Sequence, residues 1–89
     1  MKRYFFYRAE IMVPNEGDPA SFRQATQHAC FANYSFGFRM THQRVVNILM
    51  NELLHKNNYH LIKLDYFFKL SKEDHDKIVK ACHEPLVVE

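Results

Sequence analysis

The chain has 89 residues, of which 47% are hydrophobic and 15% aromatic, and its formal charge is +2. This length allows one domain, residues 1–89, because separate cores need on the order of 100 residues each. Two glycines and three prolines exclude a low-complexity chain, and so mild a charge does not by itself indicate a nucleic-acid partner.

The N-terminal apolar run is too short and too often interrupted for a targeting or membrane segment. Arg8 and Glu10 follow four aromatic residues, and no stretch approaches the roughly 18 apolar residues of a membrane span. Cys30 and Cys82 are far apart and do not form a disulfide framework. We therefore expect a cytoplasmic protein with reduced thiols and no membrane contact.

Residues 3–13 alternate between two sets of side chains, as a strand does. One set is Phe5, Tyr7, Ala9, Ile11 and Val13, and the other is Tyr4, Phe6, Arg8, Glu10 and Met12. Turn-forming residues at 14–18 end the segment. The pattern predicts a first strand.

Residues 19–30 allow two interpretations. Asp18 is suited to cap a helix with Pro19 at its first position, and Phe22, Ala25 and Ala29 would then share one face. We predict a helix here, with an extended arm as the alternative. Residues 31–40 alternate again, with Ala32, Tyr34, Phe36, Phe38 and Met40 on one side, and predict a second strand.

The period becomes helical from Thr41, which is a suitable N-cap. The apolar stripe consists of Val45, Val46, Leu49, Met50, Leu53 and Leu54, and the helix ends after Lys56. Residues 61–70 predict a third strand, Ser71 opens a last helix that ends before Pro85, and residues 86–88 form a tail suited to a sheet edge. Leu49, Leu53, Phe38 and Leu64 are expected in the core.

These elements predict an α+β fold in which two to three helices cover one face of a short, about three-stranded, aromatic-rich sheet. If residues 14–30 are irregular, the first two strands instead pair as a broad antiparallel hairpin. Alternation assigns Tyr7, Ile11, Phe36, Phe38, Leu64 and Phe68 to the covered face. It leaves uncovered a mixed face that includes Phe31 and Phe67, in which Arg8 and Glu10 are expected to pair with Asp65 and Lys63.

A metal or cofactor is not expected. The candidate zinc ligands His28, Cys30, Cys82 and His83 lack the close Cys or His spacing of structural zinc sites. We also expect no enzymatic activity, because two glycines cannot build a phosphate loop and so small a domain rarely encloses a catalytic cleft.

Residues 35–39, Ser-Phe-Gly-Phe-Arg, resemble the aromatic-Gly-aromatic centre of the RRM signature, whose strand aromatics stack on bases. That resemblance implies binding to RNA or single strands. It covers five residues, lacks the preceding basic residue and has Arg39 where an aliphatic residue belongs. We prefer to assign Phe36 and Phe38 to the core.

The uncovered face is the predicted functional surface, with Tyr4, Phe6, Arg8, Arg39, Lys63 and Phe67 as its binding residues. Aromatic rings interleaved with arginine are typical of protein interfaces. We therefore expect a non-catalytic regulatory, adaptor or inhibitor protein that binds another protein or a second copy of itself. The profile fits a protein that is encoded by a phage or other mobile element and acts on a host system. The alternative is a module for RNA or single-stranded nucleic acid on the same face.

Overall fold

The computed structural model describes residues 2–34, 39–81 and 86–88. Within them the chain forms strands β1 (Lys2–Asn15), β2 (Asp18–Tyr34), β3 (His60–Leu70) and β4 (Leu86–Val88), and α-helices α1 (His42–Ile48) and α2 (Lys72–Ala81). A π-helical turn, Leu49–Leu53, continues α1, and a 3₁₀ turn, His55–Asn57, follows it. No helix in these ranges is long and apolar enough to cross a lipid bilayer.

The sheet is antiparallel, with the strand order β3-β1-β2-β4. Three long strands are followed at one edge by the short β4, so the expected tail strand at a sheet edge is confirmed. β1 and β2 form a hairpin around Glu16 and Gly17, and Gly17 has a φ of 81° that favours glycine. The strands predicted at 3–13 and 61–70 are also confirmed.

The helix predicted at 19–30 is wrong, because this segment belongs to β2. Asp18 Oδ1 does accept a bond from the backbone N of Ala20 at 3.1 Å, but such a local bond serves a turn as well as a helix. The following backbone pairs with β1, and Ala25, Gln27 and Ala29 alternate into the core. Pairing with β1 and burial therefore override the local helix signal.

The helix that covers the sheet contains one wide turn. It begins at Thr41, whose Oγ1 accepts from the backbone N of Arg44 at 3.2 Å, as predicted. At its far end the backbone N of Leu54 binds the carbonyl of Leu49, five residues back, at 2.8 Å. The extra residue rotates Leu54 into the core and leaves Leu53 only partly buried at its margin.

The core lies between this helix and the face of the sheet that carries Tyr7. Its buried hydrophobic residues are Phe5, Tyr7, Ala9, Ile11, Val13, Ala25, Ala29, Phe31, Val45, Leu49, Leu54 and Leu64. The core positions predicted for Leu49 and Leu64 are confirmed, whereas Phe31 was expected on the opposite face. Phe36 and Phe38 lie outside the described residues.

The second helix lies against the other face of the sheet. Tyr4 shares a face with Phe6, and its ring lies 4.5 Å from that of His75 in α2. Ser71 Oγ caps this helix by accepting from the backbone N of Asp74 at 3.1 Å. The two helices thus lie on opposite faces, and the expectation of two to three helices on one face is not confirmed.

Candidate functional site

Two bulges in β3 decide which of its side chains lie opposite the core. Arg8 and Ala9 of β1 pair with Tyr66 and Leu64, so Asp65 is an extra residue between them. Glu10 and Ile11 pair with Lys63 and Leu61, so Ile62 is a second extra residue nearer the start of the strand. Each one reverses the alternation of side chains across the sheet.

Because of these bulges, the residues of β3 that contact the core are three apart rather than two. They are Leu61, Leu64 and Phe67. Phe67 pairs with Tyr7, and its ring centroid lies 6.3 Å from that of Phe5. The structure therefore places Phe67 on the core face, not on the uncovered face where simple alternation put it.

The side of the sheet opposite the core, beyond the end covered by α2, is called here the open face. It consists of one row of side chains from each of the three long strands. Its members are Phe6, Arg8, Glu10, Met12, Thr26, His28, His60, Lys63, Tyr66 and Phe68, with Asp65 at the bulge.

Aromatic rings form one end of the open face. Phe6 stacks on Phe68 with ring centroids 5.4 Å apart, and Phe68 stacks on Tyr66 at 6.1 Å. His28 lies on the other side of Phe6, at 6.3 Å. Tyr66 and Phe68 remain 42% and 47% exposed, so the stack presents apolar surface to water.

Four charged side chains occupy the middle of the open face. Lys63 Nζ lies 3.3 Å from Asp65 Oδ1, and Arg8 Nε lies 3.6 Å from Asp65 Oδ2. The expected pairing of Arg8 with Asp65 across the strands is thus present. At 3.6 Å this contact is an ion pair without a hydrogen bond, although both atoms are buried.

Glu10 completes this network on its other side. Its Oε1 lies 3.9 Å from Arg8 Nη2, and its Oε2 accepts a hydrogen bond from Thr26 Oγ1 at 2.9 Å. The two carboxylates therefore balance the two cations, Arg8 and Lys63, within a single cluster. The open face has an apolar end and an electrically neutral middle.

The structure brings together three of the six predicted binding residues. Phe6, Arg8 and Lys63 lie on the open face. Tyr4 is on the same side of β1 but lies against α2 through His75. Arg39 is exposed in the segment before α1 and is not part of the sheet.

Tyr66, Phe68, Thr26 and His28 also belong to the open face, although the sequence patterns did not place them there. The apolar residues Leu61, Leu64 and Phe67 are three positions apart in the sequence, and this spacing was a signal that simple alternation does not hold in β3. Thr26 and His28 were missed because their segment was predicted to be helical. Strand pairing, rather than any local motif, brings these four side chains to one surface.

Of the four candidate zinc ligands, His28 and Cys30 lie on the same side of β2 as the open face, while Cys82 and His83 lie outside the described residues. The part of the chain that the structure describes contains no group of three or more side chains able to hold a metal ion. The open face combines stacked aromatic rings with a neighbouring cluster of ion-paired side chains.

No protein-family model matches this chain, and no curated protein or solved structure is significantly similar to it.

Proposed function

We propose that the protein is a non-catalytic binding protein that contacts another protein through the open face, in a regulatory, adaptor or inhibitory role. The stack of Phe6, Phe68 and Tyr66, in which the rings of Phe68 and Tyr66 are exposed, carries this proposal. Rings in such a stack offer a partner a large apolar area, and their conformational freedom is already restricted. Both properties are typical of residues that dominate binding energy.

The charge cluster in the middle of the open face is compatible with such an interface. Arg8, Lys63, Glu10 and Asp65 are already paired with one another, so covering them does not leave an isolated charge in a dry interface. In this position they would set the orientation of the partner and its association rate more than its affinity.

The same observation favours a protein over a nucleic acid. Exposed rings on a sheet also suit the bases of a single strand, but phosphates additionally require cations. Arg8 and Lys63, the two cationic side chains that the structure places on the open face apart from histidines, both lie within 4 Å of Asp65. A phosphate would therefore compete with a carboxylate that is already in contact.

The test is a comparison of matched variants against a protein captured from the native host. Phe68→Ala and Tyr66→Ala remove rings from the open face, while Met50→Ala removes a side chain that is 53% exposed elsewhere, on the helix. We expect each ring variant to weaken binding by roughly 30-fold, which corresponds to about 2 kcal/mol. Met50→Ala should bind as the wild type does, and all three should keep the circular-dichroism melt of the wild type.

Equal affinity for all variants would place binding outside the open face and overturn the proposal. A generic single-stranded oligonucleotide serves as the second probe. Binding to it that falls steeply as salt is raised would assign the open face to nucleic acid instead.

A further inference from the structure

The two outer long strands of the sheet, β3 and β2, differ in how well they are protected against pairing with a further strand. β3 forms one edge, and two bulges interrupt its pairing with β1. It also carries Lys63, Asp65 and Lys69. Bulges and charged side chains prevent an edge from accepting another strand. The edge formed by β3 is therefore protected.

The outer edge of β2 lacks these protective features. From 22 to 34 its register with β1 is regular. Residues 24–34 include no lysine, arginine, aspartate, glutamate or proline. Among the described elements, β4 is the one that pairs with this edge, and it covers Thr26, Gln27 and His28. Within the described residues, most of this long and regular strand thus has outward backbone groups that can pair with another strand.

We propose that the outer edge of β2 binds an extended segment of a partner protein, which pairs antiparallel to it as an added strand and takes the place of β4. This inference goes beyond the proposed function, because it concerns a different surface from the open face. The chain itself shows the geometry of the contact, since Leu86, Val87 and Val88 already pair antiparallel with the middle of this edge. β4 is thus an internal stand-in for the partner segment.

A partner segment can displace β4 because it can pair over a greater length. β4 has three residues, fewer than the roughly five or six of a usual strand. The regular edge continues on both sides of it, from 22 to 34, and each further pair of residues adds main-chain hydrogen bonds. Because β4 belongs to the same chain as β2, it competes at a high effective concentration and raises the affinity that a partner needs.

The side chains of β2 indicate which segment fits. Ala25 and Ala29, on the side of the sheet that faces the core, are small and buried. On the other side of the strand Cys30 and Ala32 are also small. Small residues leave room for large β-branched residues directly opposite them on an added strand. The expected segment is therefore extended, uncharged at its centre, rich in valine, isoleucine or threonine, and free of proline.

A second copy of the chain fits this edge less well than such a segment does. Two β2 edges that pair over residues 24–34 would have to displace two β4 strands, whereas one segment displaces one. The other long edge of a folded copy, β3, is protected by its bulges and lysines. The partner is therefore expected to supply a segment that is not already part of a folded sheet.

The probe for this edge is a synthetic peptide, Lys-Thr-Val-Leu-Val-Val-Val-Thr-Lys, whose central Leu-Val-Val copies residues 86–88. In the register of β4, the residues between its two lysines pair with residues 24–30 of β2. Titration into the ¹⁵N-labelled full chain should shift the backbone amide resonances of residues 24–30, with a dissociation constant of about 0.1–1 mM. Amides 66–70 of β3 should not shift. The same peptide with proline as its central residue should not bind, because proline interrupts strand pairing.

Two matched variants of the full chain test the displacement of β4. The double substitution Val87→Pro and Val88→Pro removes two successive backbone N–H groups, one of which points towards β2. This variant should bind the peptide at least about fivefold more tightly than the wild type. Val87→Thr with Val88→Thr keeps a strand-forming backbone and should bind as the wild type does. Phe68→Ala changes only the open face and should also leave the affinity for the peptide unchanged.

Circular-dichroism melts verify that each variant is folded. Equal affinities of the wild type and the proline variant would overturn the inference, as would shifts confined to β3 or to the open face. If the proline variant is unfolded, the two peptides decide on the wild type alone, and binding of both or of neither up to about 2 mM would overturn the inference. Resonances of β2 that shift with protein concentration alone would assign the edge to a second copy and likewise overturn it.

Discussion

Tyr7 of β1 donates a hydrogen bond to Gln27 of β2 inside the core, with the hydroxyl 2.5 Å from Gln27 Oε1. Gln27 is the buried polar side chain of the described core and is only 2% exposed. Each residue thus satisfies the other where water does not reach, because a buried polar group without a partner costs free energy.

This pair predicts strongly non-additive effects on stability. Tyr7→Phe leaves the Gln27 amide without its donor, and Gln27→Leu leaves the tyrosine hydroxyl without its acceptor, so each should lower the free energy of unfolding by about 1–3 kcal/mol. The double variant should cost clearly less than the sum of the two. Urea melts of the four proteins measure this cycle, and simple additivity would show that the hydrogen bond contributes nothing.

Tyr7 also predicts a loss of stability at high pH. Burial, and secondarily the charge of Cys30, raises the pKa of Tyr7 well above its usual value of 10.0. Above about pH 10 the unfolded chain loses this proton while the folded chain keeps it, so the unfolded state binds fewer protons and stability falls as pH rises.

The comparison with Tyr7→Phe isolates this effect, because all other groups titrate in both proteins. The wild type should lose stability relative to the variant by about 1.4 kcal/mol per pH unit above about pH 10. Below about pH 9 the difference between the two should not depend on pH. Urea melts at several pH values measure it, and parallel curves throughout would contradict a raised pKa.

The wide turn after α1 predicts different costs for two adjacent leucines. Leu54 is fully buried, whereas Leu53 lies at the margin of the core. Leu54→Ala should therefore lower the free energy of unfolding by about 2–5 kcal/mol, and Leu53→Ala by distinctly less. Thermal or urea melts of both variants measure these two losses. A regular α-helix would instead make Leu53→Ala the more destabilising of the two.

The bulges in β3 likewise predict different losses of stability for two adjacent phenylalanines. Phe67→Ala should lower stability by on the order of 3 kcal/mol, because this ring packs on the core. Phe68→Ala should change stability by less than about 0.5 kcal/mol, because its ring is on the surface. If the two melts show the opposite order, the open face is assigned to the wrong side of β3.

The sequence by itself determined most of the elements of this protein. The alternation at 3–13 and the apolar runs at 41–56 and 61–70 indicated the type of each element, although not every buried side chain in the last two. Caps at Thr41 and Ser71 set the starts of both helices. These features depend on residues close in the chain, so a single sequence shows them.

The remaining features were decided only by the tertiary structure, because they depend on contacts between residues that are distant in the chain. Residues 19–30 carry an adequate local helix signal, but β1 offers them a complete set of strand hydrogen bonds. The bulge at Asp65 and the wide turn at Leu49 each add one residue to a regular repeat. Such an addition exchanges the buried and exposed side chains beyond it. Phe68 therefore lies on the open face, where Phe67 was expected, and Leu54 lies in the core, where Leu53 was expected.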